Sequence, residues 1–115
     1  MEGITPQGKS CVRRRAARVD GNHVEIVQIF RELGCSVLSL AAMGKGIPDL
    51  LIALQGVTWL VEVKMPKGTL TSDQEGFTAA WQGSWAVVRD REGCERVVRM
   101  MAEQAHQMSH TQESK

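Results

Sequence analysis

Residues 44–64 read GKGIPDLLIALQGVTWLVEVK, two apolar, β-rich runs whose ends carry chargeable side chains: Asp49 opens the first, and Glu62 and Lys64 close the second. A strand period of two puts Val57, Trp59, Val61 and Val63 on one face and Thr58, Leu60, Glu62 and Lys64 on the other. Glu62 and Lys64 therefore point the same way. Gly56, between the runs, predicts a hairpin that folds Asp49 back toward Glu62. Two carboxylates and an ammonium then converge on a face that also carries Leu60. Unpaired buried charge is costly, and a bound cation would supply the missing partner. For Glu62 or Lys64 taken singly, a solvated end of an edge strand explains the residue as well. The joint pattern, Pro48-Asp49 and then Glu62-x-Lys64, favours a site.

Upstream, Asp20 reads as an N-cap and Gly34 as a stop, which predicts a first helix over about 21–33. Its stripe of Ile26, Ile29, Phe30 and Leu33 is apolar, and Glu25 borders it. His23, in the first turn, is open to two readings, contact with DNA or simple exposure. Residues 35–41 form a first strand that enters the loop Gly44-Lys45-Gly46. The two glycines permit backbone angles closed to other residues and a close approach to a phosphate; a flexible turn is the plain alternative. Pro48 biases Ile47 toward extended geometry and so sets the direction of Asp49.

Downstream, Met65-Pro66-Lys67-Gly68 is turn chemistry, and Lys67 joins Lys45 as a candidate phosphate contact. Thr71-Ser72-Asp73-Gln74 is a capping box with Thr71 as N-cap. Gln74, Phe77 and Trp81 share one face of the helix that follows, which Gly83 ends. Residues 84–89 give another strand, and Cys94, Val97, Val98 and Met101 mark a last amphipathic helix. Trp81 and Trp85 could stack on bases, but in a chain with so few aromatics they are assigned to the core. Beyond Glu103 the chain is polar and without period, so a frayed tail is expected; His106 and His110 sit there at a spacing able to hold a metal.

The pattern PD, spacer, E-x-K resembles the PD-(D/E)xK nuclease signature, and its surroundings are similar to the VRR-NUC branch, the virus-type replication and repair nuclease domain. The matching context runs from Arg18 to Val98: a helix with Glu25, GKGIPDLL, WLVEVK, LTSDQEGF, and a strand AVV before a helix. The resemblance implies a restriction-endonuclease-like α/β core with a mixed central sheet in the order α-β-β-β-α-β-α. It implies Mg²⁺ or Mn²⁺ held by Asp49, Glu62 and the Val63 carbonyl, with Lys64 acting on the nucleophile. Glu25 would be a further metal-linked acid. Gln74 would help orient the lysine or a water, a role compatible with capping.

The 115 residues and 43% hydrophobic content suit one domain, taken as 19–103 between a basic arm (1–18) and a polar tail (104–115). Net charge is only +1, so basic surface must be local. It is local in Lys9, Arg13, Arg14, Arg15 and Arg18, which read equally as a phosphate grip or a solvated arm. Cys11, Cys35 and Cys94 lack disulfide or zinc spacing and suit a reducing cytoplasm. No segment approaches bilayer length, so no membrane partner is expected.

Three functions follow as expectations. The first is a metal-dependent DNA endonuclease; short stand-alone members of the resembled branch imply a Holliday-junction resolvase acting as a homodimer, since a four-way junction needs two cuts related by a two-fold axis. Flaps, nicked duplex or RNA are alternative substrates. The second is a catalytically silent DNA-binding module, and the third makes the basic arm the whole function.

Overall fold

The computed structural model describes residues 21–113. The basic arm, Lys9 and Arg13–Arg18 included, lies outside the described residues, as do Asp20, Cys11 and the side chain of His110.

The elements run α1 (His23–Glu32), β1 (Ser36–Ser39), a single 3-10 turn (Ala41–Met43), β2 (Leu50–Leu54), β3 (Val57–Val63), α2 (Ser72–Ala80), β4 (Trp85–Val88) and α3 (Arg91–Glu113). They build a mixed α/β domain with one sheet of order β1-β2-β3-β4. The β1–β2 and β2–β3 pairs are antiparallel, and β3–β4 is parallel, reached by the crossover through α2.

The β2–β3 hairpin turns at Gln55 and Gly56, both at positive φ (53° and 87°), as a tight two-residue turn requires. It pairs Leu54 with Val57 and Leu50 with Val61. Val57, Trp59, Val61 and Val63 join Leu50 and Ile52 on the core face, where Ile26, Ile29 and Phe30 of α1 and Cys94, Val97, Met101 and Ala105 of α3 cover them. The opposite face carries Leu51, Leu60 and Glu62, and α2 lies on that side.

Several expected boundaries move. Asn22, not Asp20, occupies the N-cap of α1. The first strand is only Ser36–Ser39, because Ala41–Met43 coil into a 3-10 turn. Helix α2 stops at Ala80, three residues before Gly83, because Trp81 is extended (φ −76°, ψ 126°). The largest correction is at the C-terminal end. The segment expected as a frayed tail continues α3 to Glu113. Ala105 extends the buried stripe of Cys94, Val97 and Met101 by one more turn. Gln104 Oε1 accepts a hydrogen bond from Trp59 Nε1 at 2.9 Å, giving a core indole the acceptor it needs. His106 is an exposed residue of this helix. Among the described residues no helix is long and apolar enough to cross a membrane.

Cys35 and Cys94 are free thiols buried in the core. Burial pushes the Cys94 thiol up to about 12 from 9.0 and also raises Cys35. A folded-state pKa above the unfolded one means the unfolded chain loses its proton first as pH rises. The stabilisation is complete below pH 9 and lost between about 9 and 12. Denaturant midpoints measured from pH 8 to 11 should fall with pH, and fall less steeply in Cys94→Ala. Gln104→Ala, which removes the acceptor of the Trp59 indole, should cost about 1–3 kcal/mol of unfolding free energy in the same assay.

Candidate active site

Strand β3 lies inside the sheet, between β2 and β4, so its charged end is not a solvated edge. Glu62 is 3% exposed and Lys64 9%. Their side chains share the α2 side of the sheet, and Lys64 Nζ stands 3.8 Å from Glu62 Oε2. At that separation the pair interacts as charges rather than through a short hydrogen bond.

Helix α2 supplies the closer contact. Gln74 Nε2 donates to Glu62 Oε2 at 2.8 Å. The same amide closes the capping box: Gln74 Oε1 accepts from Thr71 N at 2.9 Å while Thr71 Oγ1 accepts from Gln74 N at 3.2 Å. The capping reading of Gln74 holds, and its nitrogen, pointing to a different partner, contacts the Glu62 carboxylate rather than the lysine.

Asp49 lies one step beyond the Leu50–Val61 pair, across from Glu62. Its Oδ2 accepts from Val63 N at 2.9 Å, and its own carbonyl accepts from Leu40 N at 2.7 Å. Within a strand, a residue's N–H and C=O point to the same neighbour, so the Val63 carbonyl also faces the Asp49 side. Lys64 N turns the other way and donates to Val88 O at 3.0 Å. Asp49, Glu62, Val63, Lys64 and Gln74 thus come together.

The Gly44-Lys45-Gly46 loop sits against the start of α2. All three residues have positive φ (64°, 59° and 81°), a strained conformation for Lys45. A Cβ on Gly46 would overlap the Asp73 carbonyl, so bare backbone is required there. Lys45 and Lys67 are both exposed on loops that border the site.

Two residues that the sequence reading passed over hold this end of the sheet. Asn22 Nδ2 donates to Lys64 O at 3.2 Å and to Arg89 O at 3.0 Å, tying α1 to the C-terminal ends of β3 and β4. Arg89 Nη2 donates to Gly68 O at 2.8 Å and fastens the turn after β3. An Asn at a helix start reads as a cap, and nothing local marks a contact 42 residues away. Asn22 Oδ1 and the adjacent His23 Nδ1 are buried atoms with no hydrogen-bond partner among the described residues, and His23 itself is half-buried. Glu25 is exposed on α1, and among the described residues no hydrogen bond or ion pair links it to Asp49, Glu62 or Lys64.

No family model, curated protein or solved structure matches this chain. The site is therefore read from its own chemistry. Among the described residues no three His, Cys, Asp or Glu side chains form a metal cage. The oxygen donors that do converge are two carboxylates and one backbone carbonyl, a set that suits a hard divalent ion retaining several waters. Gly46→Ala should push α2 away from Glu62; it should lower stability by more than about 1 kcal/mol, read by thermal unfolding, because a Cβ is both strained at φ 81° and in collision.

Proposed function

We propose that this chain is a metal-dependent DNA endonuclease of the PD-(D/E)xK type, with a restriction-endonuclease-like core of the VRR-NUC kind. The observation that carries the reading is the buried Glu62 carboxylate, held by Gln74 Nε2 at 2.8 Å with the Lys64 ammonium 3.8 Å away, at a strand end beside Asp49. A fold alone has no use for a carboxylate and an ammonium taken out of water at that place, since a hydrophobic pair would be as stable.

Asp49, Glu62 and the Val63 carbonyl would hold Mg²⁺ or Mn²⁺. When bound, such an ion lowers the pKa of a coordinated water and offsets charge on the scissile phosphate. Lys64 positions that water and stabilises the negative charge that develops on the phosphate oxygens. As a protonated ammonium it donates and does not abstract, so the water's proton leaves to solvent. The water oxygen would bond to phosphorus as the phosphorus–oxygen bond to the leaving strand breaks, and the departing oxygen would take up a proton from solvent. Gln74 keeps Glu62 in one orientation and leaves Lys64 free of that task. Lys45, Gly44 and Gly46 on one loop and Lys67 on another contact flanking phosphates, together with Arg13, Arg14, Arg15 and Arg18. Glu25, exposed on the helix whose N-cap is Asn22, would be a second-tier acid reaching the metal from outside the buried group.

The substrate is branched DNA, with the four-way junction first, cut by a homodimer whose two-fold axis relates two sites. Free, buried Cys35 and Cys94 fit action in a reducing cytoplasm.

Asp49→Asn, Glu62→Gln and Lys64→Ala should each lower cleavage by at least about 100-fold while DNA binding falls far less, because phosphate contacts come from other residues. Labelled duplex, flap and four-way DNA incubated with Mg²⁺, Mn²⁺ or EDTA, beside gel shifts on the same proteins, reads both quantities. Undiminished Mg²⁺-dependent cutting by purified Glu62→Gln would defeat the assignment.

A further inference from the structure

Trp81 does not enter the core, contrary to the sequence expectation. It is 43% exposed, whereas Trp59 is 5% exposed. Yet its ring is held: it stacks on Phe77 with centroids 5.5 Å apart and planes 19° from parallel. Gly83 clears the space at its edge, for a Cβ there would lie 2.8 Å from Trp81 Nε1. A lone exposed apolar residue needs no explanation, but an exposed indole fixed in orientation by a second ring and a glycine is a preformed stacking surface. Its position adds a second argument. Gln74 and Phe77 lie on one stripe of α2, and Trp81, the first residue past its end, stacks on Phe77, so Trp81 sits about 10 Å along the helix axis, at 1.5 Å per residue, from the residue whose amide holds Glu62. That spans about three nucleotides of a strand rising 3.4 Å each.

Resting on the nuclease reading, we infer that Trp81, backed by Phe77, stacks an unpaired base of the substrate strand close to the scissile phosphate. Bases inside a duplex present no free face to an aromatic ring. The enzyme therefore selects DNA with unstacked nucleotides beside the cut, as at a branch point or a single-stranded arm, and Trp81 sets that preference without touching the reacting atoms.

The test compares binding of wild type, Trp81→Phe and Trp81→Ala, in EDTA and in Ca²⁺, to three labelled DNAs: a full duplex, a duplex with a single-stranded arm, and the same arm made abasic. Wild type should bind the base-bearing arm roughly tenfold more tightly than the abasic one, from stacking of one base. Trp81→Ala should lose that ratio with duplex affinity unchanged, and Trp81→Phe should keep most of it. Indole emission should be quenched by the base-bearing arm in wild type and not in Trp81→Phe, a readout that holds even if the alanine variant fails to fold. Equal wild-type affinity for base-bearing and abasic arms, or quenching that survives in Trp81→Phe, overturns the stacking proposal alone. Failure to bind any of the three DNAs, or full cleavage by Glu62→Gln, instead removes the nuclease reading beneath it.

Discussion

The geometry of this end of the molecule depends on one amide divided between two partners. Gln74 gives its oxygen to the backbone of Thr71 and its nitrogen to the carboxylate of Glu62. The first contact starts α2; the second fixes α2 over the sheet and fills one acceptor of a carboxylate that has left water. Neither is strong alone, since a single hydrogen bond contributes about 1 kcal/mol net. Coupled through one planar amide, they make the start of a helix and the orientation of an acid the same event. Asp49 works in parallel on the other side, where one of its oxygens takes the Val63 N–H.

The mixed sheet explains why these groups meet. An antiparallel hairpin brings Asp49 across from Glu62, while the parallel β3–β4 pair brings two carboxyl ends side by side. Ligand sites in sheets with parallel strands favour such ends, because the strands stop there and the loops diverge. Asn22 then bridges the two carbonyls, so α1, on the core side of the sheet, helps fix Lys64 on the other.

Much of this was legible in the residues. Alternation in VTWLVEVK sorts core from site, Gln55-Gly56 sets the turn, and TSDQ announces its own capping box. Each of those signals is local, spanning at most one hairpin or one helical turn. What escaped depended on distant partners. The polar run after Glu103 hides a helix because it is held by the burial of Ala105 in the core and by the hydrogen bond from Trp59 to Gln104, not by its own composition. Trp81 was assigned inward because a chain with so few aromatics was expected to spend them on its core, but the helix ends at Ala80 and the ring stacks on Phe77 at the surface instead. Asn22 and Arg89 gave no sign, since a residue that bonds backbone carbonyls across the fold leaves no pattern in its neighbourhood.

Helix α2 contributes only Thr78 to the buried set, in contrast to α1 and α3, whose faces make up the core together with the sheet. Cooperative units with little buried apolar surface open at lower free energy than the whole domain. On that ground the helix that carries Gln74, with Trp81 just past its end, is expected to open as a unit of its own, and its amide protons to exchange ahead of those of β3. The organisation around Glu62 is thus less stable than the scaffold that bears it.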